Sequence, residues 1–193
     1  MILSWGLFYV LHSALAASKL KRILKAEWPT RYKWYRLLYT LLSIALFLGI
    51  LIQATFLPIE FILRPTSFGQ YAGYLIATVG VIIMLRSMKQ ISVGSFLGIN
   101  TEREVTTEMN LIVTGIYSQI RHPLYLGLVL IFSGYFLVSG TVGAVIHLAC
   151  LITYLPFGIY FEEKNLVAEF GESYRSYQKE VPAFFPRIHK KRG

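Results

Sequence analysis

Long apolar runs alternate with polar, basic stretches along this chain. The apolar runs are Ile2–Ala17, Leu37–Leu57, Tyr71–Leu85, Leu124–Val138 and Thr141–Phe161. A helix needs about twenty such residues, or about seventeen at the short end, to cross the hydrocarbon core of a bilayer. Two runs meet that length outright. The three shorter ones reach it when amphipathic flanks such as Gly69–Tyr71 or Ile120–Tyr125 lie at headgroup level, or when the helices pack closely. The pattern predicts an all-α integral membrane protein, a single domain over residues 1–193 with about five transmembrane helices at 2–17, 37–57, 71–85, 124–138 and 141–161. Ser139-Gly140-Thr141 allows only a tight antiparallel hairpin between the last two spans. Gly127, Gly134, Gly140 and Gly143 are expected to let those two backbones approach. Beyond the last span, Glu162 to Tyr177 reads as one C-terminal cytoplasmic amphipathic helix interrupted by Gly171.

Charge orients these helices. Of the 19 Lys and Arg residues, seven lie between Lys19 and Arg36, four between Arg86 and Arg121, and seven between Lys164 and Arg192, leaving only Arg64 after the second span. Basic loops stay cytoplasmic. Five spans with the N-terminus outside place all three basic segments, and the C-terminus, on the cytoplasmic side of a bacterial-type inner membrane. Met1–Ala17 has no basic residue ahead of its apolar stretch, whereas Lys19, Lys21, Arg22 and Lys25 follow it. It therefore reads as a first span rather than a signal peptide.

Composition agrees with the membrane class, at 55% apolar residues and a mean hydropathy of +0.54. The net charge of +9 does not mark a nucleic-acid partner, because the basic residues are divided among apolar stretches instead of forming a stripe. Cys150 is the sole cysteine, which excludes an intramolecular disulfide and argues against a thiolate metal site.

Chemistry with water-soluble groups belongs in the polar stretches. The second one ends in Gly115-Ile116-Tyr117-Ser118-Gln119-Ile120-Arg121-His122-Pro123-Leu124-Tyr125-Leu126-Gly127. Pro123 suits the first position of a helix, where its missing N–H is no loss. Arg121 and His122 then lie at a helix N-terminus, where free N–H groups and the dipole favour an anion. Anchoring at the lipid headgroups accounts for the same pair equally well. Glu162-Glu163 closes the fifth span, and adjacent carboxylates are costly if buried, so at least one faces a polar cavity or a cationic partner. The short hairpin brings the two pairs to similar depth. A purely structural ion pair is the alternative to a site.

Taken together, Gly115-x-Tyr117, Arg121-His122-Pro123-x-Tyr125-x-Gly127, Glu162-Glu163-x-x-Leu166, Phe170-Gly171-x-x-Tyr174-x-x-Tyr177 and Val181-Pro182 resemble the isoprenylcysteine carboxyl methyltransferase family. Its phospholipid N-methyltransferase relatives share the likeness. The N-terminal part, with Trp5, His12-Ser13, Lys19 and Tyr35-Arg36-x-x-Tyr39, looks more like the bacterial branch of NnrU-type proteins and methanethiol S-methyltransferases. The resemblance implies an S-adenosylmethionine pocket open to the cytosol, built from about residues 95–127 and 158–187. Leu111, Ile112, Tyr117, His122, Pro123, Leu124, Tyr125 and Glu162 match cofactor-binding positions. On that resemblance His122 and the helix N-terminus hold the methionine carboxylate, Glu162 meets the ribose hydroxyls or the amino group, and Tyr117 or Tyr125 faces the sulfonium. Arg121 is the expected contact for a lipophilic or small-molecule acceptor (carboxylate, thiol or amine), and Glu163 the expected base. Enzymes acting on prenylated cysteine carry an arginine four residues before the first glutamate; this chain has Gly158, which removes a partner for that carboxylate. The chain has no Gly-x-Gly and no aspartate, which argues against a nucleotide-binding parallel sheet.

Two other functions fit parts of the pattern. A sterol-type membrane reductase using NADPH shares the Arg-His-Pro region, but such enzymes carry Arg-Asp and Lys-Tyr-Gly where this chain has Glu162-Glu163 and Phe170-Gly171. A non-enzymatic haem or electron-transfer protein would use His12, His122 and His147. Of these, only His12 and His147 lie in the outer half of the membrane together, and a lone histidine in an apolar helix is more often packed or hydrogen-bonded.

Overall fold

The computed structural model describes residues 1–90 and 111–185. The parts of the expected pocket at 95–110 and 186–187 lie outside the described residues. In order, the helices are α1 (Ile2–Ala16), α2 (Ser18–Glu27), α3 (Pro29–Thr55), α4 (Ser67–Gln90), a 3-10 turn (Gly115–Ser118), α5 (Pro123–Ser139), α6 (Val142–Phe170) and α7 (Glu172–Glu180). Among the described residues the only strand-like pairing is one isolated bridge, Phe61 to Thr141. Among the described residues, three helices are long and apolar enough to cross a membrane: Thr30–Thr55 within α3, then α4, then α6. The other two apolar helices, α1 and α5, have 15 and 17 residues. Large apolar side chains such as Leu3, Phe56, Phe68, Tyr71 and Leu75 are exposed, as a surface bathed in lipid requires.

Each apolar run forms a helix, with α4 extending from Ser67 to Gln90 beyond the expected 71–85, and two further differences have a clear local cause. First, α3 begins at Pro29 rather than Leu37, because proline at the first helical position is pre-set for the turn. The polar residues ahead of it form α2. Second, no separate amphipathic helix starts at Glu162. No glycine or proline interrupts the sequence between Phe161 and Phe170, so α6 runs on through both glutamates. It stops at Gly171, whose φ is +56° and whose N–H donates to Val167 O.

The core lies where α1, α3, α5 and α6 meet, around Trp5, Ile50, Phe132, Leu151 and Leu155. Trp5 Nε1 donates to His147 Nδ1 at 3.0 Å, with both rings buried, and ties α1 to α6. Thr141 Oγ1 accepts from Ala144 N at 3.3 Å and caps α6. Gly140 ends α5 in the left-handed region at φ +63°, and its carbonyl accepts the N–H groups of Ile62 and Leu63. The tight α5–α6 hairpin is thus as expected.

The role of the other glycines is different. A Cβ on Gly73 would lie 2.7 Å from Gly134 O, and one on Gly80 would lie 2.7 Å from Gly127 O. Gly127 and Gly134 therefore bring α5 against α4, not against α6. A Cβ on Gly143 would touch only Thr141 Oγ1 at 3.9 Å. A small residue marks a helix face that a neighbour approaches. It does not say which neighbour.

Candidate functional site

The antiparallel α5–α6 hairpin sets the start of α5 beside Glu162 and Glu163 of α6, and α7 folds back across both. Glu163 is the hub. Its Oε1 accepts from Arg121 Nε at 2.9 Å and lies 2.8 Å from Arg121 Nη2, while His122 Nε2 reaches the same oxygen at 2.9 Å. Its Oε2 accepts from Gln178 Nε2 at 2.9 Å. Arg121 Nη1 also donates to Gln178 O at 3.0 Å and to Val181 O. The backbones join as well, with Arg121 N–H on Pro182 O at 2.9 Å and His122 N–H on Ala183 O at 3.0 Å. Tyr177 Oη donates to Tyr117 O at 2.6 Å. Beneath these bonds Tyr174, Tyr177 and Val181 form a small apolar cluster with Leu111, Leu166 and Phe170.

The adjacent glutamates have opposite surroundings. The side chain of Glu163 is 19% exposed, whereas that of Glu162 is 45% exposed, with Oε2 3.6 Å from His122 Nδ1. Tyr125 turns its hydroxyl toward Glu162, and Tyr117 lies close enough to interact with its charge. Burial, then Glu162 and Tyr177, hold the Tyr117 phenol well above its usual range. Burial pushes Tyr177 up to about 12 against the opposing pull of Arg121, so it remains a donor at neutral pH.

His122 responds in the other sense. Burial alone would lower its pKa, but the hydrogen bonds and charges of Glu162 and Glu163 outweigh burial and raise it above 6.5. A raised folded-state value contributes stability that is complete below the unfolded value and is lost as pH rises through the folded one. The melting temperature of the detergent-solubilised protein is therefore expected to fall, relative to His122→Gln, as pH rises above about 6.5. Parallel profiles for the two proteins would show that the imidazolium contributes nothing.

Arg121, His122, Tyr125, Glu162 and Glu163 thus come together as the motifs suggest, with Tyr117 alongside. Leu111 packs into the α7 cluster, and Ile112 and Leu124 are half-buried. Pro123 is fully buried at the first position of α5. The ring nitrogens of His122 face the two glutamates, and the Nε and both Nη atoms of Arg121 have partners within the cluster. Gln178 is a member that its residue type did not announce. Beside the 3-10 turn, the Gln90 amide fills the space where a side chain on Gly115 would lie, and Gly115 has φ +56°. The two histidines of the electron-transfer alternative do not share a level as expected: His147 meets Trp5 near the start of α1, whereas His12 lies toward the other end of that helix with Ser43 and Tyr39, because α1 runs on past Trp5 before it reaches them.

Fold and site together define an all-helical membrane protein with a charged, aromatic-lined site at one end of its bundle. A family model described as phospholipid methyltransferase matches residues 68–173, and the chain belongs to that family. It is 31% identical over 128 residues to a methanethiol S-methyltransferase of Crocosphaera subtropica, covering 64% of this chain and 49% of that one. It is 27% identical over 157 residues to a protein-S-isoprenylcysteine O-methyltransferase of Xenopus laevis, covering 78% of this chain and 51% of the other. A methanethiol S-methyltransferase of Mycobacterium tuberculosis is 28% identical over 194 residues, covering 96% and 76% of the two chains. The chain spans about half the length of the first two of these relatives. No solved structure matches. The resemblance carried by the motifs is borne out at the level of the family.

Proposed function

We propose that this protein is a membrane-embedded methyltransferase that uses S-adenosylmethionine and methylates a lipophilic or small-molecule acceptor. The observation that supports this best is the contrast between the glutamates in a chain of this family: Glu163 is locked, and Glu162 stays accessible beside two phenols. A sulfonium donor with an ammonium, a carboxylate and a ribose diol suits that set. Glu162 meets the ribose hydroxyls or the ammonium, and Tyr117 and Tyr125 offer ring faces to the sulfonium. The first turn of α5 offers its amides and positive dipole end to the carboxylate. Leu111, Ile112 and Leu124 supply the apolar wall.

Arg121, His122 and Glu163 take a different part from the one the motifs suggested. Their polar atoms meet one another, so they are positioning residues that fix Glu162 and the start of α5. The cofactor supplies an activated methyl group, and the chain aligns the acceptor and excludes water. The site faces the cytosol, with the N-terminus outside.

Two measurements test this. S-adenosylmethionine and its demethylated product are expected to raise the melting temperature of the purified protein in detergent, and NADPH to leave it unchanged. Stabilisation by NADPH alone would return the sterol-reductase reading. For orientation, a cysteine at Ser67 is expected to react with an impermeant thiol reagent in intact cells, and cysteines at Thr30 and Ser176 only after lysis. Labelling of Ser176→Cys from outside would reverse the topology.

A further inference from the structure

Between two apolar helices, the ten residues Ser18–Glu27 form α2. Single residues join it to its neighbours, Ala17 to α1 and Trp28 to α3. The Tyr35 hydroxyl donates to Leu15 O at 2.6 Å, so the first turns of α3 are held against the last turn of α1. The two apolar helices thus meet at one end of the bundle, and α2 connects them there. At about 15 Å it is half as long as a helix that crosses the bilayer core. Its place is at the membrane surface.

The residues of α2 suit that place. At about 100° per residue, Lys21, Arg22 and Lys25 share one sector of the helix, and Leu20, Ile23 and Leu24 share the opposite one. Lys21 leans over α3, with Nζ 5.6 Å from the centre of the Tyr39 ring. Arg22 and Lys25 are exposed, as is Arg31 in the first turn of α3, and none of these three pairs with a carboxylate among the described residues. From Ser18 to Arg36 the chain has seven Lys and Arg residues and one acid, Glu27. From Glu162 to Glu180, by contrast, three basic residues stand among five glutamates. Trp28 and Trp34, 54% and 58% exposed, lie beside the cations, and Ile23 is exposed on the apolar side. Cations on one face with tryptophan and aliphatic groups beside them make a helix that lies in the headgroup plane.

We propose that α2 and the first turn of α3 form a binding surface for anionic phospholipid, with Arg22, Lys25 and Arg31 on the headgroup phosphates and Ile23 and Trp28 at the acyl boundary. Charge selects the occupant. A zwitterionic headgroup carries an ammonium for each phosphate and leaves the three cations without net counter-charge. An anionic headgroup gains on the order of fivefold in affinity for each Lys or Arg at the surface. An acidic protein segment would also attract the cations, but it would leave Ile23 and Trp28 uncovered, whereas a lipid leaflet meets both sectors of α2 at once. This surface is separate from the glutamate site, and its occupancy does not depend on the methyltransferase reading.

The test uses the full chain in phosphatidylcholine vesicles in which either dibrominated phosphatidylglycerol or dibrominated phosphatidylcholine replaces part of the lipid. Quenching of tryptophan fluorescence reads which lipid lies against Trp28 and Trp34. Phosphatidylglycerol is expected to be preferred about fivefold or more. The preference is expected to drop to near parity when Arg22→Gln is combined with Lys25→Gln, and to weaken as salt is raised to about 0.5 M. Arg86→Gln combined with Lys89→Gln removes the same charge from exposed positions at the end of α4, and it is expected to leave the preference unchanged. Equal quenching by the two lipids in the wild type would overturn the proposal. So would an equal drop in the two double variants, which would make net charge the cause. The salt series needs only the wild type, so it decides even where a variant fails to reconstitute: a preference indifferent to salt rejects the phosphate contacts.

Discussion

Glu163→Ala is expected to destabilise the protein by about 3–5 kcal/mol, the cost of leaving buried cations without their counter-charge. The side chains of Arg121 and His122 are 13% and 2% exposed, and both direct nitrogens at Glu163 Oε1. Removing the carboxylate also frees Gln178 and loosens α7 from the start of α5. Thermal melting in detergent measures the loss. Glu163→Gln keeps an acceptor for Arg121 but no charge, so its melting temperature is expected to fall between those of wild type and alanine variant. Because the residues act as one network, Glu163→Ala combined with Arg121→Ala is expected to cost less than the sum of the single changes. A wild-type melting temperature for Glu163→Ala would show that the cluster does not hold the site.

The neighbouring change has the opposite signature. Glu162→Gln is expected to lower the melting temperature far less than Glu163→Ala, because that side chain is 45% exposed and reaches the buried His122 only at 3.6 Å. On the proposed function it weakens S-adenosylmethionine binding by about 1.5–3 kcal/mol, roughly ten- to hundredfold, the contribution of a charge-assisted hydrogen bond. Calorimetry reads this directly. Equal affinity for the two proteins would take Glu162 out of the cofactor site. The two glutamates are adjacent in sequence, so exchanging their phenotypes would also reject the assignment of which one is locked.

Much of this was legible in the order of residues. The apolar runs become helices because their composition leaves few polar groups to satisfy and a helix satisfies its own backbone. Pro123 marks the start of α5, and Gly140 and Gly171 mark the ends of α5 and α6, since each states a local backbone requirement. The motifs around Arg121-His122-Pro123 and Glu162-Glu163 named the region of the site and its family. Helix propagation beyond Phe161 was not legible from hydropathy, because a turn of helix continues through glutamates as readily as through leucines.

The sequence by itself determined the apolar helices, the tight α5–α6 hairpin and the meeting of its two charged pairs at one level, because these follow from neighbours along the chain. Only the tertiary structure decided that Gly127 and Gly134 face α4, that Glu163 is locked while Glu162 is open, and that Gln178 closes the network. It alone brought Tyr9, His12, Tyr39 and Tyr154 together from three helices. The physical reason is the same in each case: residue type states what a side chain can bond to, and the partner it meets depends on which helix packs against that face and at what rotation.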